Sequence, residues 1–399
     1  MKGLYVLLMF VIASRSLCAR ETPTPFFNVL SYGAIGDGQT DDTNAFLEAW
    51  QDVCGTVDGI PTLFIPRGKT FMLQPLLFQG PCKSAYIMIA LKGIIIAPHS
   101  VEAWKWPNNE RTAWIQFWQI SGLNIYGGGT FNGQGAPWWS KYLGSEEINR
   151  PTALVFSGCE NLQLHRLTHI DSPRNHISIG SCNGIIISKL NIIAPETSHN
   201  TDGIDIAHSS NILIRNSNIQ TGDDCVAINS GSSFINITGV FCGPGHGISV
   251  GSLGRGGEYA MVEEIHVRNC TFNGTQNGAR IKTWKGGSGY ARKITYEDIE
   301  IVGAYNPLII DQHYHPNGKS ESTSSTAVEV SDVTFRKFRG TSAQENAIQL
   351  NCDSNNIGCT NIVLDDINIT NVAGGTTKAS CTNAHATSIS CHPYVSCLP

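Results

Sequence analysis

The stretch His199–Cys225, HNTDGIDIAHSSNILIRNSNIQTGDDC, carries two short aspartate clusters, Asn200-Thr201-Asp202 and Gly222-Asp223-Asp224, on either side of a β-like run. Downstream come His246 in GPGHGIS, Arg280 and Lys282 in RIK, and Tyr314 in DQHYH. Taken singly, each has an ordinary structural explanation. Aspartate beside glycine is a common turn residue, a histidine between glycines suits a loop, and Arg280 and Lys282, at i and i+2, share the solvated side of a strand. Taken together they are equipped for acid–base chemistry. Carboxylates crowded within a few ångströms cannot all stay ionised, so repulsion raises the pKa of at least one beside an ionised neighbour. Glycoside hydrolysis needs that combination, an acid for the leaving oxygen and a base for water. Two cations on one strand face suit the carboxylates of a sugar acid, and a polymeric uronic acid is the substrate such a group fits.

These residues meet only if the chain stacks them. From Leu123 onward one unit recurs: alternating apolar residues, a polar break, then another short apolar strand, as in NLQLHRLTHID, GIIISKLNIIAP and NILIRNSNIQTG. Its leading positions are Leu123, Leu162, Ile185, Ile212, Ile235, Ile265, Ile294, Val328 and Ile362, spaced 23 to 39 residues apart. No helical period fills the gaps, so the repeat is strand-based. The expected fold is all-β, a single-domain right-handed parallel β-helix in which each coil buries its inward side chains on the coils above and below. A leucine-rich repeat is the rival solenoid, but its leucine pattern is missing.

Residues one coil apart then lie about 4.8 Å apart. Asp202 to Asp223 is 21 residues, Asp223 to His246 is 23, and His246 to Arg280 and Arg280 to Tyr314 are 34 each. Five consecutive coils are thus expected to line up Asp202, Asp223/Asp224, His246, Arg280/Lys282 and Tyr314 in one vertical groove. Removing Arg280 or Lys282 is expected to weaken substrate binding more than folding. Asn191, Asn218 and Asn269, at the polar breaks, read as stacked structural amides, and His176 as a core or supporting residue. Open solenoid ends need covers. TDDTNAFLEAWQDVC predicts an N-terminal capping helix with Asp41 or Asp42 at its start and Phe46, Ala49, Trp50 and Val53 on its apolar face. Beyond Val372 the repeat fades while Cys381, Cys391 and Cys397 remain, which predicts a disulfide-tied C-terminal tail.

The ends and the composition bound the setting. Residues 1–20, MKGLYVLLMFVIASRSLCAR, show a basic start, a short apolar run and small residues, a secretory signal pattern too short to span a bilayer. The expected organisation is a signal peptide at 1–20 and a catalytic β-helix domain at 21–399, secreted to the extracellular space or cell wall, with no membrane attachment after processing. Twelve of the thirteen cysteines follow that signal, an even number that favours disulfides in a secreted chain. Cys225–Cys242 and Cys352–Cys359 are the local pairs expected. Sequons at Asn236, Asn269, Asn273 and Asn368 are candidate glycosylation sites. The formal net charge of −5, or −7 without Lys2 and Arg15, argues against a nucleic-acid partner.

In this order and spacing, NTDGID, TGDDC, GPGHGIS and RIKTW resemble the signature of the polygalacturonases, pectin-cleaving β-helix glycosidases. FNVLSYGAIGDGQTDDTNAF and DSPRNHISI are similar to stretches of the plant members. The resemblance covers essentially the whole chain after residue 20. It implies hydrolysis of α-1,4-galacturonosyl linkages with inversion, by a monomer that uses no cofactor and no metal and acts on pectin or polygalacturonate. It further implies that Asp223 is the general acid, that Asp202 and Asp224 hold and activate the water, and that His246 tunes the acid. Arg280 and Lys282 would bind galacturonate carboxylates, Tyr314 would be the subsite tyrosine, and Asn200 the motif asparagine. His315 departs from the pattern, standing where plant members often carry a cysteine, which puts one family disulfide in doubt. Three other readings remain: a calcium-dependent pectate lyase using the aspartates as metal ligands, a non-catalytic pectin-binding β-helix, and a rhamnogalacturonan hydrolase.

Overall fold

A computed structural model describes residues 25–106, 111–142, 149–315, 325–354 and 357–397. The expected signal peptide lies outside them, and no helix among the described residues is long and apolar enough to cross a membrane.

The middle coils run through three short strands, whereas from Tyr259–Asn273 onward the second and third strands of a coil merge into one long strand. After Thr201 the three are Ile204–Ala207, Ser210–Arg215 and Asn218–Gln220. Strand alternation decides which side chains enter the core: Ile204, Ile206, Ile212, Ile214 and Ile219 are buried, and burying each contributes about 1.5–3 kcal/mol. The first strands of successive coils pair in parallel, with Ile177, Ile204, Val226, Ile248, Ala279, Leu308 and Ile348 in register. Eleven such strands, from Leu76–Gln79 to Lys378–Thr382, make one parallel sheet among the described residues. The other strands stack likewise, so the molecule is a parallel β-helix. It starts well ahead of Leu123, because Thr62–Ile65 and Ile87–Leu91 already stack beneath Leu123–Tyr126.

A left-handed bend sets the register of the second strand. Asn161, Gly184, Asn211, Phe234, Glu264, Lys293, Asp332 and Asn361 all have φ between 52° and 74°. Each directly precedes the leading apolar residue of its coil. This moves one expected position: Val333, not Val328, pairs with Ile294 and Ile362, because the bend falls at Asp332. A second column of bends, including Arg166, Lys189, Asn216, Asp298 and Asp366, contains Asn269 with φ 50°. Asn269 is therefore an exposed bend residue and not part of an amide stack. Asn191 and Asn218 do stack, the Asn218 Nδ2 donating to Asn191 Oδ1 at 2.9 Å.

The N-terminal end is covered by a helix over Thr43–Gly55, which buries Phe46, Ala49, Trp50 and Val53. Asp42 stands at its start but makes no cap bond, because its carboxylate accepts the Ile35 and Gly36 amides instead. Asp41 accepts the Thr43 N–H and hydroxyl. The tail differs from expectation. Lys378–Thr382 and Ala384–His392 add a further coil in register with Asn346–Asn351 and Cys359–Asn371. Its alternation is hard to see in sequence because this coil is mostly polar and largely exposed.

Cys225–Cys242 and Cys352–Cys359 are bonded as expected, together with Cys54–Cys82 and Cys381–Cys397, which ties down the tail. Cys159, Cys182 and Cys270 are unbonded and buried, and Cys391 is unbonded and partly buried. A buried thiol packs as a small apolar side chain, so the even count overstated the pairing. His315, where a family cysteine was expected, packs edge-on against Trp284 at 5.2 Å.

Candidate active site

The site lies on the eleven-stranded sheet, at the turns that enter its strands. Asp202, Asp224 and His246 stand two residues ahead of Ile204, Val226 and Ile248, and strand register makes these positions equivalent. The in-register successors of His246 are Asn277 and Asn306, two residues ahead of Ala279 and Leu308. Asn277 Nδ2 donates to the His246 carbonyl at 3.3 Å, and its Oδ1 accepts from Asn306 at 3.1 Å. Arg280 and Lys282 lie further along the strand Asn277–Trp284, so the single straight column expected from the 34-residue spacings is corrected. Both reach back to the Asp224 carboxylate, Arg280 past Ser249, its partner in register. Tyr314 pairs with Trp284 after a register shift, which brings its ring within 5.1 Å of Lys282 Nζ.

Two short loops hold the aspartates. Thr201 Oγ1 accepts the Gly222 N–H at 3.0 Å and bonds the Ser198 carbonyl, tying the first cluster to the second. A Cβ at Gly222 would meet that carbonyl oxygen at 2.0 Å, so the loops approach this closely only with glycine there. The neighbours Asp223 and Asp224 then diverge. Asp223 faces the cleft, with its side chain 17% exposed, while Asp224 turns inward at 1%.

Asp223 Oδ1 accepts from His246 Nδ1 and from the Asp224 N–H, both at 2.9 Å. Its Oδ2 accepts from Asn200 Nδ2 at 3.2 Å. Asp224 is fully engaged by cations: Arg280 Nη2 and the Ser249 hydroxyl donate to Oδ1 at 2.6 and 2.8 Å, and Lys282 Nζ donates to Oδ2 at 2.8 Å. Arg280 Nε also donates to Ser249 Oγ at 2.9 Å. Arg280 and Lys282 are themselves buried. Removing either takes one of two cations from the buried Asp224 carboxylate, so a cost in folding stands beside the expected loss of substrate binding.

The charges divide the protons unequally. Burial, then repulsion by Asp223, Asp205 and Asp224, raises Asp202 well above the usual carboxylate range. Burial also raises Asp205, with help from Asp224, to about 7. For Asp223 burial acts in the same direction, but the hydrogen bond and charge of His246, with Lys282 and Arg280, outweigh it and hold the carboxyl below its ordinary range. Burial by itself would lower the pKa of Arg280 and Lys282, and the charge of Asp224 outweighs this and raises both. The surroundings therefore favour the protonated form of Asp202 and the ionised form of Asp223.

Several neighbours were not singled out from the sequence. Asp205 is one, although alternation in GIDIA puts it opposite Ile204 and Ile206 and hence outside the core. Ser249 and Asn277 were hidden among common residue types. Arg150, 50 residues before Asn200, bonds its side chain, and no local pattern marks it. His176 is fully buried beneath the site, its Nε2 accepting the Ser172 N–H. A cavity of ≈ 440 Å3 opens beside His246, lined also by Gln276, Asn306, Tyr305 and Glu196. Asp223, Asp224 and His246 offer ligand atoms within 4.8 Å of one another. Both Asp224 oxygens are nonetheless committed to Arg280 and Lys282, whose charges repel a dication, so this donor set is poorly suited to calcium.

Comparison with known proteins places this geometry in context. The model of glycosyl hydrolases family 28 matches residues 54–391. A probable polygalacturonase of Arabidopsis thaliana is 49% identical over 383 residues, 94% of this chain and 81% of that protein. A polygalacturonase of Cryptomeria japonica is 42% identical over 375 residues, 92% of this chain and 71% of that protein. Among solved structures, the polygalacturonase from Erwinia carotovora ssp. carotovora superposes with a TM-score of 0.74 at 24% identity, covering 94% of this chain and 99% of that one. The endo-xylogalacturonan hydrolase from Aspergillus tubingensis gives 0.78 at 24%, covering 89% and 97%.

Proposed function

The chain belongs to glycosyl hydrolases family 28, and on that premise we propose that it hydrolyses the α-1,4-galacturonosyl linkages of pectin, with inversion, in the extracellular space or cell wall. As a glycoside hydrolase it falls outside the lyase reading and the non-catalytic one. We take residues 21–399 as its catalytic domain, working as a monomer without metal or cofactor. The observation that carries the reading is the close grouping of Asp202, Asp223 and Asp224 with His246, Arg280 and Lys282.

In this mechanism Asp223 protonates the glycosidic oxygen, which it can approach because, unlike Asp224, it is partly exposed. His246 tunes the acid's protonation and orientation through the 2.9 Å hydrogen bond from its Nδ1 to Asp223 Oδ1. Asp202 and Asp224 hold and activate the water that attacks the anomeric carbon from the other face. Arg280 and Lys282, restrained by Asp224, turn their remaining N–H groups to galacturonate carboxylates. Tyr314 and Asn200 line the subsites next to the cleaved bond. The test is reducing-end release from polygalacturonate. Asp223→Asn is expected to lower it by about 10²–10⁴-fold, and a variant as active as the parent would overturn the assignment. The product sizes from the same digest read the mode of attack: monomers alone mean exo, mixed oligomers mean endo.

One observation favours a second assignment of the same roles. Asp202 is the carboxyl raised by its surroundings, whereas Asp223 is lowered. Exchanging them would make Asp202 the acid. A galacturonide with an activated leaving group needs no acid, so the variant of the true acid keeps its activity on that substrate. Retention by Asp223→Asn supports the first assignment, and retention by Asp202→Asn the second.

A further inference from the structure

We propose that Arg150 is a positioning residue for the acid, setting which way the Asn200 amide faces and, through it, how the Asp223 carboxyl is held. The inference rests on the assignment of Asp223 as proton donor. Arg150 is 5% exposed, an unusual burial for a guanidinium that bonds no carboxylate among the described residues. Its Nη1 donates to the carbonyls of Pro173 and His199, and its Nη2 donates to Asn200 Oδ1 at 2.6 Å. The Tyr142 ring covers one face of the guanidinium at 3.9 Å. The group is thus fixed from several sides.

A guanidinium offers donors only. The Asn200 amide must therefore turn its oxygen to Arg150 and its NH2 away, and there Nδ2 meets Asp223 Oδ2 at 3.2 Å. The flipped amide would set two donors against each other at Arg150 and an oxygen against the carboxylate at Asp223. Either contact loses a hydrogen bond at a buried polar group, a cost of about 1–3 kcal/mol. The backbone assists: Asn200 sits at φ 54°, a left-handed conformation that asparagine tolerates, and Arg150 grips the preceding carbonyl. With Oδ1 taken by His246 and the Asp224 amide, and Oδ2 steadied by Asn200, the Asp223 carboxyl has one orientation. The free lone pair of Oδ2 is left to carry the proton.

The experiment is a double-mutant cycle on the full-length enzyme, using Arg150→Met, Asn200→Ala and the pair, with Arg150→Lys as the conservative variant. Misplacing the acid is expected to lower kcat by about tenfold to a hundredfold, with KM changed by less than about twofold. The double variant should be no worse than Asn200→Ala, because both changes break one relay. Losing a donor to the carboxylate raises its pKa. The alkaline limb of kcat should therefore move up by about half to one pH unit in both single variants. Arg150→Lys should restore part of the rate. His246, Asp202, Asp205, Asp224, Arg280 and Lys282 also face Asp223, and every variant leaves them in place. A merely structural Arg150 would lower the active fraction equally at all pH values and add to Asn200→Ala, so additive losses or an unmoved limb overturn the proposal. Carbon-13 titration of the Asp223 carboxyl reads the same coupling without substrate. An inactive wild-type enzyme therefore defeats the functional reading, while equal Asp223 titration in wild type and Arg150→Met defeats this one.

Discussion

Asp205 shows how a single side chain ties the site to the stability of the fold. Its carboxyl titrates near 7 in the folded chain against about 3.9 when unfolded, so the folded state holds a proton that the unfolded state has released. Stability from this group is complete below about pH 4 and is lost as pH rises through about 7. Asp202, also raised, works in the same direction, whereas the lowering of Asp223 acts below the ordinary carboxylate range. Asp205→Asn should therefore flatten, without abolishing, the fall in Tm between pH 4 and 8, and an unchanged slope would remove Asp205 from this account. Asp224 sets up a second case. Arg280→Ala leaves a buried carboxylate with one cation in place of two, an expected loss of roughly 3 kcal/mol by denaturant titration. Adding Asp224→Asn should recover part of it. None of this was legible in RIK or TGDDC alone, because the pairing crosses two coils.

Among the elements, the left-handed bends matter as much as the strands. Most of the bend positions carry Asn, Asp or Gly, or a flexible charged residue, but Phe234 holds φ 54° with a bulky ring that is half exposed. A left-handed non-glycine residue costs about 1–2 kcal/mol, and asparagine tolerates the conformation better than phenylalanine. Phe234→Asn should thus raise stability by about 1 kcal/mol, seen as a higher denaturant midpoint at unchanged m-value. The capping helix was legible in sequence because Phe46, Ala49, Trp50 and Val53 fall on one helical face. The register of Val333 was not, since AVEVSDVTF offers alternating apolar residues on both sides of the bend.

For the whole molecule, stability runs along one axis, each coil resting on its neighbours. Among the described residues, the coil of Lys378–Thr382 and Ala384–His392 stacks on one side only, and Cys381–Cys397 fastens it. Cys381→Ser is expected to cost about 2–5 kcal/mol of local stability. Amide exchange should quicken over Lys378–His392 while the site, several coils away, keeps its activity. Loss of activity in parallel with that fraying would show the coils to be coupled over a longer range than nearest-neighbour stacking allows.

By itself the sequence determined whatever depends on residues close together along the chain. The period-two alternation of isoleucines, the face of the capping helix and the Cys225–Cys242 and Cys352–Cys359 pairs all belong here, as does the placing of Asn200, Asp202, Asp223, Asp224, His246, Arg280, Lys282 and Tyr314 on five successive coils. Only the tertiary structure decided which aspartate faces the cleft, that Arg280 and Lys282 are bound to Asp224, that Asn277 follows His246 in register, and that Arg150 grips Asn200. Strand alternation is a local rule written in every coil. Contacts between coils depend on where each bend falls and how long each loop is, and those lengths change from one coil to the next.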